Sequence, residues 1–422
     1  MVRMKVVHLN TSVNRSSAPF RLHEALCQTG VESKILVLNE GEGLEGVAKA
    51  EKSFFYKCKR KLYAVLRKEK EKKYGVIEYM PFTMLPVGMD VSRLQAVKEA
   101  DVVFLHWICG DYMSPKTISR LLDTGKTVFW ACHDNFPFTG GCHVRLGCDR
   151  YEKKCGCCPQ LRSDKELDES ARLLEEKKQL LQRPNLYVTA PSSWMDGNVG
   201  KSTVLGGQRH FILPNAIDTE RFRPYNKNEV RAELGLEENT FLLLTGLKAN
   251  EKIPYNGTEY LWEILDKLYA GCQDGQWNGR KIEIAVFGVE SVARMEEKCK
   301  FPIRNLGYIR ESDKLARIYS AADLYLITSL EDSFNQTAAE CMSCETPVVA
   351  FKNGGIEDII DHRENGYLAE YKNTEDMVKG ILQNWQQENR EKAREKIVRC
   401  FSYEKISSRF LQIVKEVSGD GK

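Results

Sequence analysis

The side chains best suited to chemistry lie in one short stretch from Asp332 to Glu340, which reads Asp-Ser-Phe-Asn-Gln-Thr-Ala-Ala-Glu. Two carboxylates eight positions apart can accept hydrogen bonds from sugar or ribose hydroxyls. Apolar runs typical of buried parallel strands precede and follow the stretch, at residues 322–328 and 346–351. The pattern predicts a loop and then a crossover helix that begins near Asn335.

The N-terminus of this helix is predicted to bind a diphosphate. In open α/β sheets, ligands bind at the C-terminal ends of the strands. A helix that begins there offers free N–H groups and the positive end of its dipole. Asn335, Gln336 and Thr337 form this predicted N-terminus. Together with the two carboxylates, they indicate a nucleotide-sugar site.

Strands and helices alternate along both halves of the chain, which predicts an α/β protein with two parallel sheets. We predict a first domain over residues 1–210, a second over 211–400, and a C-terminal helix over 401–422 that returns towards the first domain. A length of 422 residues agrees with this division. The predicted strands are 5–9, 33–38, 102–106, 127–132, 186–190, 240–244, 282–287, 303–307, 324–328 and 347–350.

Composition is that of an ordinary globular protein, with 42% apolar and 29% charged residues. The net charge of +3 does not favour nucleic-acid binding. Residues 1–10 lack the apolar core and cleavage site of a signal peptide. Because no run approaches the roughly 18 apolar residues that span a bilayer, we expect a cytoplasmic protein.

Residues 52–73 contain ten lysines or arginines interleaved with aromatic and aliphatic residues. This pattern is typical of a basic amphipathic helix at an anionic membrane surface. It would place the protein peripherally at the inner face of the plasma membrane. A solvated surface helix with one buried stripe is the alternative, and the sequence does not separate the two.

The chain resembles the retaining glycosyltransferases of family four, which have the GT-B fold of two Rossmann-like domains facing each other across a cleft. Residues 332–340 match the family's E-x7-E element, with Asp in place of the first Glu. A narrower resemblance, over 133–143 and 155–161, is to the subgroup that builds bacterial exopolysaccharide and capsule. Other matching segments are 215–222, 306–309, 319–323, 347–349, 354–355 and 364–368.

The resemblance implies transfer of a sugar from a nucleotide diphosphate sugar, with retention at the anomeric carbon and no catalytic metal. The acceptor would be a growing polysaccharide or a lipid-linked saccharide. Lys248 and Lys252 would neutralise the leaving diphosphate, in place of Mg²⁺. Backbone groups around Tyr308 and Ile309 would hold the base.

The resemblance also assigns roles to single side chains. Asp332 would bind donor sugar hydroxyls, and Glu340 would bind the ribose. His133 follows a predicted strand at its C-terminal end, and a family histidine there contacts the donor sugar and helps to position the acceptor. The predicted catalytic residues are therefore His133, Asp332 and Lys252. His106, at the end of the preceding strand, is a second candidate.

These assignments have alternatives. Asp332 could cap the helix, Glu340 could be an exposed helical residue, and His133 could be structural. The chain departs from the family at Asn256, where a Lys commonly stands, and at residues 16–17, which are Ser-Ser in place of a Gly pair. A non-catalytic metal-binding scaffold, a GT-B sugar-nucleotide epimerase and a phosphorylase remain rivals. The sequence does not distinguish UDP from GDP sugars.

Four cysteines in an irregular insert over 142–161 predict a structural metal site. Cys142, Cys148, Cys155 and Cys158 form a C-x5-C-x6-C-x2-C array, and four thiols in a short segment suit tetrahedral zinc. An iron–sulfur cluster is a second possibility. Disulfides are not expected in the cytosol, and small buried residues are the remaining alternative. No cofactor is expected for catalysis.

Overall fold

The computed structural model describes residues 3–41, 43–74, 80–84, 86–247, 253–272, 275–383 and 385–419. The chain divides into two compact units. Unit 1 comprises Met1–Ala216 and Ile406–Lys422, and unit 2 comprises Ile217–Lys405. The sequence-based boundary after residue 210 lies close to this division.

Unit 1 is built on a seven-stranded sheet in which every adjacent pair of strands is parallel. The strand order is β3-β2-β1-β4-β5-β6-β7, so the winding direction reverses between β1 and β4. Such a reversal opens a crevice at the C-terminal ends of the two strands. The strands are β1 (Lys5–Asn10), β2 (Glu32–Val37), β3 (Val47–Lys49), β4 (Val102–Leu105), β5 (Thr127–Ala131), β6 (Leu186–Ala190) and β7 (His210–Ile212).

Most residues of β1, β2, β4, β5 and β6 are buried, as expected where helices cover both faces of a parallel sheet. In the first helix, Phe20, Leu22, Ala25 and Leu26 are buried, as their helical spacing predicts. The helices are α1 (Ala18–Gln28), α2 (Phe54–Lys73), α3 (Gln95–Glu99), α4 (Pro115–Leu122), α5 (Glu169–Leu181) and α6 (Ser193–Gly200).

Unit 2 repeats the plan with a second sheet in the order β11-β10-β8-β12-β13-β14, with β9 antiparallel to β10. The strands are β8 (Thr240–Gly246), β9 (Gln276–Trp277), β10 (Arg280–Phe287), β11 (Ile303–Asn305), β12 (Leu324–Ile327), β13 (Val348–Phe351) and β14 (Gly366–Ala369). The helices are α7 (Lys227–Glu233), α8 (Thr258–Ala270), α9 (Ala293–Glu296), α10 (Ser312–Ala321), α11 (Gln336–Ser343), α12 (Thr374–Ile381) and α13 (Gln387–Phe401). The prediction of an α/β protein with two parallel sheets is confirmed.

The last helix, α14 (Tyr403–Gly419), begins in unit 2 and belongs to unit 1 from Ile406 onwards. Within unit 1, Phe410 stacks on Phe104 of β4 with ring centroids 5.7 Å apart. Arg209 and Glu416 form an ion pair at 2.8 Å. Among the described helices, none combines the length and the apolar composition needed to cross a bilayer.

A buried carboxylate ties together four elements of unit 2. Asp323 precedes β12 and accepts bonds from Lys227 at 2.8 Å, Arg231 at 3.1 Å and Arg280 at 2.9 Å. The backbone N–H of Leu242 also donates to it at 2.8 Å. Burial alone would raise the pKa of Asp323, but the surrounding cations and hydrogen bonds lower it to about 2. The carboxylate is therefore ionised, and it fixes the start of the strand that leads to Asp332.

Candidate functional site

The predicted loop and helix after β12 are present, and α11 begins at Gln336. Asn335 has left-handed backbone geometry (φ +67°), and its side chain caps the helix by accepting from the N–H of Ala338 at 3.1 Å. Asp332 Oδ1 accepts from the N–H groups of Phe334 at 3.2 Å and Asn335 at 2.9 Å. Asp332 therefore shapes the turn before the helix, while Asn335 provides the cap.

Glu340 is the fifth residue of α11, just over one turn from its start, and is buried, with 3% of its surface exposed. The alternative of an exposed helical glutamate is therefore wrong. Gln336 Nε2 donates to its Oε1 at 3.2 Å, and Tyr319 Oη lies 3.5 Å from its Oε2. Burial raises the pKa of Tyr319 well above its usual value, so the hydroxyl stays protonated and can donate. A buried carboxylate with such neighbours is held in one orientation.

Two glycines after β13 allow a close approach to this loop. A Cβ at Gly355 would lie 2.2 Å from the carbonyl oxygen of Ser333, and one at Gly354 would lie 2.5 Å from that of Asp332. Gly354 also has a φ of +82°, which favours glycine. The N–H of Gly355 donates to the Asp332 carbonyl at 2.9 Å. The glycine pair, predicted from the family pattern, therefore supports the Asp332 loop directly.

The segment before α8 also packs against the end of β12. Gly257 (φ +64°) has no room for a Cβ, which would lie 1.9 Å from the carbonyl oxygen of Thr328. Thr328 Oγ1 in turn donates to the Asn256 carbonyl at 3.1 Å. The Nδ2 atom of Asn256 is buried and has no hydrogen-bond partner within the described part of the chain. Lys248 and Lys252, the predicted diphosphate ligands, lie outside the described residues.

A cavity lies at the C-terminal ends of β8, β10 and β11, where the base was predicted to bind. Tyr308 lines it and is 66% exposed, which leaves its ring available for contact. Ile309 does not line this cavity and packs against the core of unit 2. The other lining residues include Leu247, Gly288, Glu290 and Arg310.

In unit 1, His133 follows β5 and belongs to a row of three imidazoles. Its Nε2 lies 2.8 Å from Nδ1 of His106, and His106 Nε2 lies 2.8 Å from Nδ1 of His8. His106 and His133 line a small cavity together with Phe104, Leu213 and Asn215. His8 was not singled out from the sequence, although a histidine inside a strand buried on both faces was the available signal.

Burial keeps this row uncharged. Desolvation lowers the pKa of His8 to about 3 and that of His133 to about 4. For His106, desolvation and then the two neighbouring imidazoles lower the pKa well below its usual value. All three rings are therefore neutral near pH 7.

Asp134, the residue after His133, organises a second polar group that sequence reasoning did not single out. It pairs with His143 Nδ1 at 2.6 Å and accepts from Trp107 Nε1 at 3.0 Å. Burial raises the pKa of Asp134, but the charge and hydrogen bond of His143 outweigh this, so the net pKa is lowered. Thr83 lies 2.8 Å from the other ring nitrogen of His143. The Asp-to-His spacing in the 133–143 motif was the available signal.

The four predicted metal ligands all line one small cavity, together with Tyr151 and Ser170. All four are free thiols. Burial raises the pKa of Cys155 to about 12 and also raises that of Cys142 and Cys158. Across the described ranges, no three His, Cys, Asp or Glu side chains are grouped closely enough to hold a metal ion. The structure therefore gathers the thiols without bringing them to ligating positions.

Helix α2 carries an exposed apolar surface. Phe54 and Phe55 are 73% and 85% exposed, whereas Tyr56 is buried. Arg60 pairs with Asp111 at 3.4 Å and so helps to attach the helix to unit 1. Leu62, Val65 and Leu66 are also exposed. The alternative of one buried apolar stripe thus accounts for only part of the apolar residues in α2.

Comparison with protein families gives a match over the part of unit 2 that contains this site. Residues 246–387 match the family described as glycosyl transferases group 1. They include Asp332, Glu340 and the glycine pair.

Curated relatives match parts of the chain. N-acetyl-alpha-D-glucosaminyl L-malate synthase of Bacillus anthracis is 31% identical over 120 residues, which are 27% of this chain and 32% of that protein. Lipopolysaccharide 1,2-N-acetylglucosaminetransferase of Salmonella typhimurium is 24% identical over 222 residues, or 48% of this chain and 56% of that protein. The chain thus spans between about a third and just over half the length of these relatives.

Solved structures match nearly the whole chain at low identity and show the fold alone. Sucrose-phosphate synthase from Thermosynechococcus elongatus superposes with a TM-score of 0.65 at 14% identity, covering 99% of this chain and 100% of that one. Anabaena Alr3699/HepE in complex with UDP and glucose gives 0.60 at 16% identity, covering 98% and 100%. The fold is that of the GT-B glycosyltransferases, as predicted.

Proposed function

We propose that this protein is a retaining glycosyltransferase that takes a sugar from a nucleotide diphosphate sugar. The observation that carries the proposal is the buried Glu340 on α11, about one turn after a loop that Gly354 and Gly355 hold in place. This arrangement lies within the matched glycosyl transferase domain. It offers a fixed acceptor for ribose hydroxyls next to the N–H groups of a helix N-terminus.

Departure of the diphosphate would be assisted without a metal. The helix N-terminus, the side-chain amide of Asn256 and the predicted cations Lys248 and Lys252 would together stabilise the charge that develops on the leaving group. Asp332 would bind hydroxyls of the donor sugar. Tyr308, which lines the cavity beside β8 and β10, would contact the base.

Incubation of the protein with labelled UDP and GDP sugars tests the proposal. We expect the protein to cleave its donor slowly and release free labelled sugar. UDP sugars are the first choice, because one of the matching structures contains UDP and glucose. Since a hydrogen bond to a charged group contributes about 1.5–3 kcal/mol, Glu340→Gln should bind the donor about ten- to a hundredfold more weakly. Glu388→Gln, at a glutamate in the first turn of α13, is the control. If every nucleotide sugar stays intact and unbound, the protein is a non-catalytic scaffold.

We further propose that the acceptor is a polysaccharide or lipid-linked saccharide, as in capsule or exopolysaccharide synthesis, and that α2 binds an anionic membrane surface. Exposed Phe54 and Phe55 would enter the lipid interface while the lysines of α2 contact the headgroups. The protein should cosediment with vesicles that contain anionic lipid at low salt, and it should not cosediment with neutral vesicles. Phe54→Ser with Phe55→Ser should reduce the sedimented fraction several-fold. Equal binding by this variant would contradict the proposal.

We also propose that Cys142, Cys148, Cys155 and Cys158 hold a structural zinc ion, with an iron–sulfur cluster as the alternative. Their common cavity supports this, since four thiols are the donor set of a closed structural zinc site. A bound ion would have to draw the thiolates together and offset the burial that now raises their pKa values. Its role would be to fasten the insert to unit 1.

A further inference from the structure

The three imidazoles of unit 1 lie end to end along one face of the sheet. His8 is directly opposite Phe104 in the register of β1 and β4, and His106 is two residues beyond Phe104. Phe104 is in turn opposite Phe129, four residues before His133. Because side chains alternate along strands, all three rings face the same side. Adjacent ring centroids are 5.1 Å apart, with planes inclined by 24° and 18°.

Hydrogen bonding couples the protons of the row. At neutral pH each imidazole carries one ring proton, so each ring has one donor nitrogen and one acceptor nitrogen. Each 2.8 Å nitrogen–nitrogen contact needs one of each. The protons must therefore all point along the row in the same direction. Only two arrangements satisfy both contacts, and they differ in which nitrogen of His133 is protonated.

The buried end of the row decides between the two arrangements. His8 is fully buried, and its Nε2 atom has no hydrogen-bond partner among the described residues. On α1, the ring centroid of His23 lies 6.4 Å from that of His8, and the two nitrogens of His23 already contact Ser33 and the carbonyl of Glu45. An orphaned buried N–H is rarer in proteins than an unpaired acceptor. The proton of His8 should therefore be on Nδ1, which donates to His106.

We propose that His8 and His106 are positioning residues that fix His133 as the tautomer with its proton on Nδ1. His8 Nδ1 donates to His106 Nε2, and His106 Nδ1 donates to His133 Nε2. The remaining nitrogen of His133 is thereby a hydrogen-bond donor and not a base. Given the proposed function, on which this part depends, a fixed His133 ring would help to place the saccharide substrate. The inference deepens the role of His133, which the sequence placed at the site without a protonation state.

The tautomer can be measured directly, in the absence of any substrate. The chain has seven histidines, so selective ¹⁵N labelling of histidine gives a small set of ring signals. His133→Asn identifies those of His133. We expect a protonated Nδ1 and a bare Nε2 in the wild-type protein. A protonated Nε2, or an even mixture of both tautomers, would overturn the inference whether or not the protein transfers sugar.

Substitutions at His8 test whether the row sets this tautomer. His8→Leu removes the first donor, so His133 should change from one tautomer to a mixture, with kcat about tenfold lower and KM within twofold. His8→Asn places an amide N–H near the position of Nδ1 and should restore both. Phe129→Leu, which removes a buried ring on the same face without removing a nitrogen, is the packing control. An unchanged His133 signal in folded His8→Leu would refute the positioning role.

These readouts separate the inference from the proposed function. If the wild-type protein shows the expected tautomer but cleaves no nucleotide sugar, the inference about the histidine row is supported and the proposed function is refuted. If sugar transfer is observed while Nδ1 of His133 is unprotonated, the proposed function is supported and the inference about the tautomer is refuted. Should His8→Leu fail to fold, the wild-type spectrum and His8→Asn remain decisive.

Discussion

Substitution of Gly355 by alanine tests whether the glycine pair holds the Asp332 loop. An added Cβ would lie 2.2 Å from the Ser333 carbonyl oxygen and 2.7 Å from the Phe334 Cα. Both are backbone atoms, so no side-chain rotation relieves the clash. The loop must move by about 1 Å, and such overpacking costs about 1–3 kcal/mol. The unfolding midpoint of unit 2 should fall by about 2–12 °C, at roughly 2–4 °C per kcal/mol for a domain of this size.

The same displacement should reduce catalysis. A misplacement of about 1 Å can lower a rate on the order of a hundredfold, so kcat/KM for the donor in Gly355→Ala should fall by about that factor. Gly271→Ala is the matched control, since its nearest neighbours would be 3.5 and 3.6 Å from the new Cβ. The assays are thermal unfolding and donor cleavage. If Gly355→Ala keeps both the midpoint and the rate of the wild-type protein, the glycine pair does not support the site.

Two further predictions concern stability and metal content. The pKa of Asp323 falls from 3.8 to about 2 on folding, which corresponds to about 2 kcal/mol of stability. This contribution is present above pH 4 and lost as the pH falls towards 2. In denaturant unfolding, Asp323→Asn should therefore have a lower free energy of unfolding than the wild-type protein at pH 7, and this difference should narrow below pH 4. A deficit independent of pH would contradict this. Purified protein should contain one zinc ion per chain. Cys155→Ser should lose this ion, and the unfolding midpoint of unit 1 should fall by several degrees. Absence of stoichiometric zinc or iron in the wild-type protein would refute the metal proposal.

The elements that carry the site in unit 2 could be predicted because their signals are local. The apolar strands on either side of the 332–340 stretch are short and uninterrupted, and they correspond to β12 and β13. The helix between them begins one residue after the expected Asn335. The local sequence pattern did not predict whether Glu340 is buried or exposed. Its burial depends on Tyr319 and Gln336, and the contact with Tyr319 comes from a separate helix.

The histidine row shows what sequence reasoning could not supply. His8, His106 and His133 come from three separate parts of the chain, and their alignment depends on the register of β1, β4 and β5. A single sequence gives no register between strands that are about 100 residues apart. For Lys248 and Lys252, the predicted role stays a prediction, since they lie outside the described residues.

Amide hydrogen exchange in the presence of a nucleotide sugar tests the central claim most directly. The claim is that the α11 N-terminus and the loop before it bind the donor diphosphate and ribose. With UDP or GDP sugar bound, we expect slower exchange at residues 332–340 and 354–355, and this protection should be absent in Glu340→Gln. Tight donor binding with unchanged exchange in these two segments would contradict the account.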